Sequence, residues 1–388
     1  MIHRPSNSLF VVAGVGAFLA AIAGCGGSGS GGGSTTGTPV ASLAYGQPVA
    51  IPIPLHAEGG GVSAYSSDNR LVGAFGLGDV TNAAYWSSPT SQPVVLQGLA
   101  NGYTALANGV NNKGQVVGSS SPTINGIKTA IVWTNPSAAP SPLPVPATTI
   151  ASAATSINDK GVIVGWITTT STNTVRFVLW SSPTAKTYTL LPGVPSSNHQ
   201  LPKFITNSGK VITGYVQARQ DASIWSSTTS ATPIDLAAIG GSSQESVPLA
   251  VNNSGVIVGG SVKKSFPIGE MDQPPTIWVP PSYQPTTPPL DSQSYDLSHA
   301  SLNGVNDAGA YVGTLPDQNM HGNTYVWLPG KTNTALNSLL PAGAQAFGTY
   351  PSTPVAILND YSILTVLEID DAAGHFLSKT TYYIPVKK

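Results

Sequence analysis

A ten-residue pattern recurs along the chain, and it limits the possible folds more than any other feature. Ser156-Ile157-Asn158-Asp159-Lys160-Gly161-Val162-Ile163-Val164-Gly165 has counterparts at residues 109–118, 249–259 and 304–313, with weaker copies at 204–214 and 65–73. Each copy reads as a β-hairpin. A short apolar run meets an Asn-Asp or Asn-Asn turn, a glycine able to take positive φ follows, and a β-branched run ends in a second glycine. Successive terminal glycines lie roughly 45 to 54 residues apart, the spacing of a repeat architecture.

Two further signals complete the unit. After each hairpin comes an apolar strand closing on Trp86, Trp133, Trp180, Trp225, Trp278 or Trp327, so that only Trp166 falls elsewhere. A large aromatic at one repeat position suits a core between packed sheets. A weaker run follows at residues 94–96, 142–144, 188–192, 233–236, 288–290 and 336–340, with proline in four of the six. Proline cannot donate to a central ladder, so these runs belong on an outer edge. A seventh, degenerate unit has its hairpin at 356–366 and its third strand at 381–385, with Tyr383 expected in the tryptophan position and no fourth strand after it. Residues 47–55 have the composition of a fourth strand without its first three. The two incomplete ends complement one another. The expected fold is therefore all-β: a seven-bladed β-propeller of four-stranded antiparallel blades, closed by an N-terminal outer strand. A linear solenoid is the alternative, but it calls for capping units rather than complementary half-units.

The chain begins with a targeting segment. Arg4 precedes an apolar run from Leu9 to Ala23 that is too short to span a bilayer comfortably, and the run ends Ala21-Ile22-Ala23-Gly24-Cys25. This resembles a bacterial lipobox, which implies that Cys25 is acylated after cleavage and that residues 1–24 are a lipoprotein signal peptide. Cys25 is the single cysteine, so no intrachain disulfide is available, and a lipidated thiol needs no partner. Gly26 in place of the retention-favouring Asp of that family implies the cell outer membrane. Residues 25–38 then form the anchor and a Gly/Ser tether reaching about 20 Å, and residues 39–388 the propeller.

The hairpin and tryptophan strand are similar to the bacterial extracellular HAF repeats, whose unit pairs Ile-Asn-x-x-Gly-x-Val-Gly with His-Ala-Phe-Leu-Trp. The hairpin matches well at 157–165, 110–118, 251–259 and 305–313. The strand keeps Trp in six units and Ala at Ala83, Ala130 and Ala222, while Asn82, Thr129, Arg176, Asp221, Pro274 and Asn323 replace the His. The resemblance covers about residues 60–386 and implies an exported propeller without implying a chemistry.

Chemistry-bearing residues are sparse: charged residues make up 9% of the chain and the net charge is −1, which gives no basic field for nucleic acid. The turn acids Asp159, Asp307 and Asp360 are explained by Asx turns. Glu368, Asp370 and Asp371 lack the spacing of a calcium loop, and His56, Glu58, His321 and His375 lack zinc spacing, so no catalytic residue, metal or cofactor is assigned. The candidate binding-face loops are the insertions between second and third strands. One carries Lys263, Lys264, Glu270 and Asp272, and the other, Asp317 and His321. The expected function is an anchored binding or interaction module for an envelope protein or glycan. A propeller hydrolase or lyase acting on an exported polysaccharide is the alternative, since carboxylates from different blades need only meet in space.

Overall fold

The computed structural model describes residues 23–25, 43–54, 57–77, 80–100, 103–123, 126–169, 175–192, 201–214, 221–230, 232–241, 244–263, 274–293, 295, 297, 300–316, 322–344, 352–370 and 376–387. Seven four-stranded antiparallel sheets follow one another around a ring, a seven-bladed β-propeller. Their inner strands are Glu58–Ser66, Thr104–Val110, Thr149–Ile157, Leu201–Ile205, Gln244–Val251, Ser301–Val305 and Ser352–Ile357. In each blade the chain runs outward from the axis, strand by strand.

The expected closure is present. Val49–Ala50 pairs with Phe376–Ile384, Val49 opposite Tyr383 and Ala50 opposite Tyr382, and supplies the fourth strand of the seventh blade. The backbone pairing extends on both sides: Ile51 donates to Thr381 O (2.9 Å), Gly46 to Pro385 O (2.8 Å) and Lys387 to Ala44 O (2.8 Å). The Ile51 bond has the same place as the bonds from Leu143, Leu191 and Leu236 to Ala130, Phe177 and Ala222, each three residues before a blade's tryptophan. The segment from outside thus docks as a chain-continuous fourth strand does.

Each tryptophan indole is buried and donates to the preceding blade. Trp133, Trp180, Trp225, Trp278 and Trp327 bond the carbonyls of Gln97, Pro144, Pro192, Ala237 and Pro289, and Trp86 bonds Pro52 (2.7 Å). Blade one therefore reads residues 51–52 as its neighbour's outer strand. The indole supplies bulk to the core between blades while its one polar atom is satisfied.

Three expectations are corrected. Register places Ile384, not Tyr383, opposite Ile363, in the position that pairs Trp180 with Ile163 and Trp86 with Leu71. Isoleucine leaves space there, and Tyr45 packs into the same cluster with Ile357, Ile363 and Leu336. Tyr45 is 1% exposed, with its hydroxyl on Tyr361 O (3.0 Å) and its N–H on Leu339 O. The outer strand of blade five is Pro285–Thr286, with Pro288 as its buried anchor, rather than 288–290. In blade six the outer strand is Asn333–Ala335, and Leu336–Leu339 is a single helical turn. The apolar run begins where the strand ends because Leu336 is the residue that turns inward.

Ala23–Cys25 forms a fifth, parallel strand on the inner edge of blade one, with Ala23, Gly24 and Cys25 opposite Ala64, Tyr65 and Ser66. It also approaches the inner strands of blades two, four and five, so it lies in the axial channel.

Candidate functional site

The Asn of the repeat holds two blades at once. Its side-chain oxygen caps its own turn, accepting from the N–H four residues on: Val162 to Asn158 (2.9 Å), Val256 to Asn252 (2.9 Å) and Ala310 to Asn306 (2.9 Å). Its amide then donates to the equivalent carbonyl of the next blade. Asn111 reaches Asn158 O (3.0 Å), Asn158 reaches Thr206 O (3.0 Å), Asn252 reaches Asn306 O (3.0 Å) and Asn306 reaches Leu358 O (3.1 Å). All four asparagines are buried. Thr206 keeps the cap, accepting from Lys210 N–H (3.0 Å), but a hydroxyl is too short to reproduce the amide crossing.

The following residue builds a second, outer belt. Asp159 Oδ1 accepts from Asn112 N–H and Asp307 Oδ1 from Asn253 N–H, while Asn207 and Asn359 accept from the Asp159 and Asp307 N–H groups. Asn69 Nδ2 donates to Asp360 Oδ2 across the seam where the ring closes (3.2 Å). Asp159 and Asp307 thus join blades rather than forming Asx turns of their own, whereas Asp360 does cap Ser362 N–H. Inside this belt the channel mouth is a shallow depression bordered by Ser66, Asn252, Asn306, Asp307 and Asn359.

The terminal glycine answers a different demand. Every inner strand has a β-bulge at one place, leaving Ser63, Asn108, Thr155, Lys203, Leu249, Asn303 and Val355 unpaired. The bulge swings a backbone carbonyl toward the middle strand. A Cβ on Gly118, Gly165 or Gly259 would lie 1.8, 2.1 or 1.9 Å from Leu106, Ala153 or Val247 O, which no side chain tolerates. Blades four and seven carry buried Thr213 and Thr365 at this register, and the Thr365 hydroxyl bonds Thr353 O (3.1 Å).

The bulged residues form a ring around the axis. Six of the seven are half-buried although both chain neighbours of each are buried, and solvent inside a closed ring of blades is the channel. Several also cross to the next blade: Ser63 Oγ donates to Ala107 O, Asn108 Nδ2 to Ala154 O (2.9 Å) and Lys203 Nζ to Pro248 O (3.3 Å). Lys203 is the charged member. Its stem lies against Gly214 and its ammonium over the Phe204 ring at 5.3 Å. Burial alone pushes its pKa down to about 7, with no carboxylate contributing.

Of the expected binding-face residues, Lys263 ends the middle strand Ile257–Lys263 opposite Gln244. Lys264, Glu270, Asp272, Asp317 and His321 lie outside the described residues. The ends of their loops leave blades five and six on the side away from the Asn turns, as Pro316 paired with Gly322 marks in blade six. Glu368 and Asp370 pair opposite Lys379 and Phe376 in the last hairpin, while His56, Asp371 and His375 are outside the described residues. Among the described residues no three His, Cys, Asp or Glu side chains are grouped as metal ligands are. The bulge ring was missed because its seven members share no residue type.

No protein-family profile matches the chain, and no curated protein matches it. Among solved structures it is similar to a prolyl endopeptidase, at 10% identity and TM-score 0.57 over 86% of this chain and 51% of that one. It is also similar to prolyl oligopeptidase B from Galerina marginata, at 10% identity and TM-score 0.51 over 81% and 47%. The chain spans about half the length of these proteins, and at such identities the likeness is one of fold.

Proposed function

We propose that this chain is an outer-membrane lipoprotein of the HAF-repeat type, in which a seven-bladed propeller on a short tether acts as a binding module for an envelope protein or glycan. The observation that carries the reading is the order of parts: Ala21-Ile22-Ala23-Gly24-Cys25, a Gly/Ser tether, and a ring that needs residues 43–54 to close. An anchor at Cys25 leaves roughly 20 residues before the closing strand, enough to hold the ring clear of headgroups on a flexible chain. The binding part is supported by the ring itself. Blades clasped edge to edge make a rigid frame, and the second-to-third-strand connections of two adjacent blades, five and six, leave the ring on the same side. Cleavage before Cys25 would remove Ala23 and Gly24 from the inner edge of blade one, and anchoring in the bilayer would withdraw Cys25 from its place opposite Ser66, clearing the channel.

Mass spectrometry of the mature N-terminus tests the anchor. Acylated Cys25 is expected, and Cys25→Ser should release a soluble chain; a mature chain starting at another residue overturns the anchor. For binding, glycan arrays and capture from envelope extract are compared between the native chain and a quadruple variant with Lys263, Lys264, Glu270 and Asp272 replaced by alanine. Binding that survives the variant unchanged removes that face from the proposal.

A further inference from the structure

We propose that the waist of the axial channel is a binding site for a small carboxylate, with the Lys203 ammonium as its charge contact and the bulged polar residues Asn108, Ser63 and Asn303 around it. This deepens the binding reading above and rests on it.

Three observations converge. The bulge brings one side chain per blade to the same level of the ring, and six of the seven are half-buried there. Leu249 and Val355 are apolar, and Ser63, Asn108, Thr155 and Asn303 present hydroxyl or amide groups, so Lys203 stands without a counter-charge in the ring. Its one hydrogen bond among the described residues is a long one, 3.3 Å to Pro248 O, which leaves two of its three donors for a ligand. A desolvated ammonium costs free energy unless it is paired, and the depressed basicity of Lys203 reflects that cost. A carboxylate entering the channel would favour the charged form of the Lys203 amine and gain charge-assisted hydrogen bonds. The lumen has the width required, because Ala23–Cys25 runs through it as an extended chain against the inner strands of blades one, two, four and five. Sequence offers little warning of the site, since Lys203 lies just before one of the weaker repeat copies, where Thr213 replaces the usual glycine and Gly214 receives the lysine stem.

The test titrates the exported, processed chain with acetate, glucuronate and N-acetylglutamate, and with glucose as the neutral control, while following the Lys203 amine by NMR of 15N-labelled lysine. Saturable binding of the carboxylates is expected, at least tenfold tighter than glucose, with a shift of the Lys203 Nζ signal. The sugar acid and the amino acid arms tell which source is preferred. Lys203→Met, which keeps the stem against Gly214, should weaken binding at least tenfold, and Lys203→Arg should restore it in part. If Lys203→Met fails to fold, the Nζ shift in the native chain decides. No saturable shift, or equal binding by Lys203→Met, reduces the site to an adventitious ion only and overturns the inference. The acylation measurement is independent of this titration, so loss of the anchor reading and loss of the channel reading are told apart.

Discussion

Replacing Asn158 by threonine separates the two jobs of the repeat asparagine. In the native chain Asn158 Oδ1 caps Val162 N–H at 2.9 Å and Nδ2 crosses to Thr206 O at 3.0 Å, both in buried surroundings. Alanine at this position leaves the Val162 N–H unpaired, at about 1–3 kcal/mol, and takes one of two donors from the Thr206 carbonyl, which keeps Gly209 N–H (2.9 Å); with about 1–2 kcal/mol for the lost crossing, Asn158→Ala should cost about 2–5 kcal/mol. Threonine keeps the cap, as Thr206 does for Lys210 N–H, and loses only the crossing, for about 1–2 kcal/mol. The reverse change, Thr206→Asn, should add a crossing to the Asn252 carbonyl and stabilise by about 0.5–1.5 kcal/mol. Urea unfolding followed by tryptophan fluorescence reads these values, since all six core indoles lie between blades, and the slope should stay constant while the midpoint moves. Equal losses for Asn158→Thr and Asn158→Ala, or a destabilised Thr206→Asn, would refute the two-blade role of this residue.

Two other perturbations follow from the same geometry. Gly165→Ala puts a Cβ 2.1 Å from Ala153 O and should cost about 3 kcal/mol or more, the upper range for overpacking, whereas Thr213→Ser at the same register in blade four, which keeps a Cβ and the hydroxyl bonds to Ser223, should cost about 1 kcal/mol; midpoints of urea unfolding that differ little between the two would contradict the bulge account. Burial, and to a lesser degree Asp360, holds the Tyr45 phenol above its ordinary range. An acid whose folded pKa is raised stabilises fully below the unfolded value near 10 and loses that contribution as pH climbs toward the folded value. Stability should therefore fall above about pH 10, and Tyr45→Phe should flatten part of that fall, Tyr295 and Tyr311 supplying the rest.

The architecture was readable because the parts that define it are local. A hairpin turn, a positive-φ glycine such as Gly161 (φ 88°) and a tryptophan three residues past a fixed backbone bond each leave their mark within a few positions. The ring closure was readable by subtraction, from a spare strand at one end and a missing one at the other. What escaped was set by partners distant in sequence. Tyr45 fills the space of a tryptophan that the seventh blade lacks, yet nothing around it in the chain signals a core residue. The terminal glycine of the motif looks like the end of a strand, when it is instead the residue facing a bulge in the strand before it. Asp159 reads as a turn acid, and only the adjacent blade shows why the carboxylate is there. The bulge ring, Lys203 included, has no common residue type because backbone geometry defines it and side chains are free to differ.

Hydrogen exchange at the seam gives the most direct reading of the central claim. If residues 43–54 close the ring, the Gly46 and Ile51 amides, bonded to Pro385 and Thr381, exchange as slowly as the Leu143 and Leu191 amides of internal outer strands, and deleting 43–54 strips protection from the Phe376–Ile384 strand. Fast exchange at Gly46 and Ile51, or unchanged protection of the last strand after the deletion, would show an open array in place of a ring.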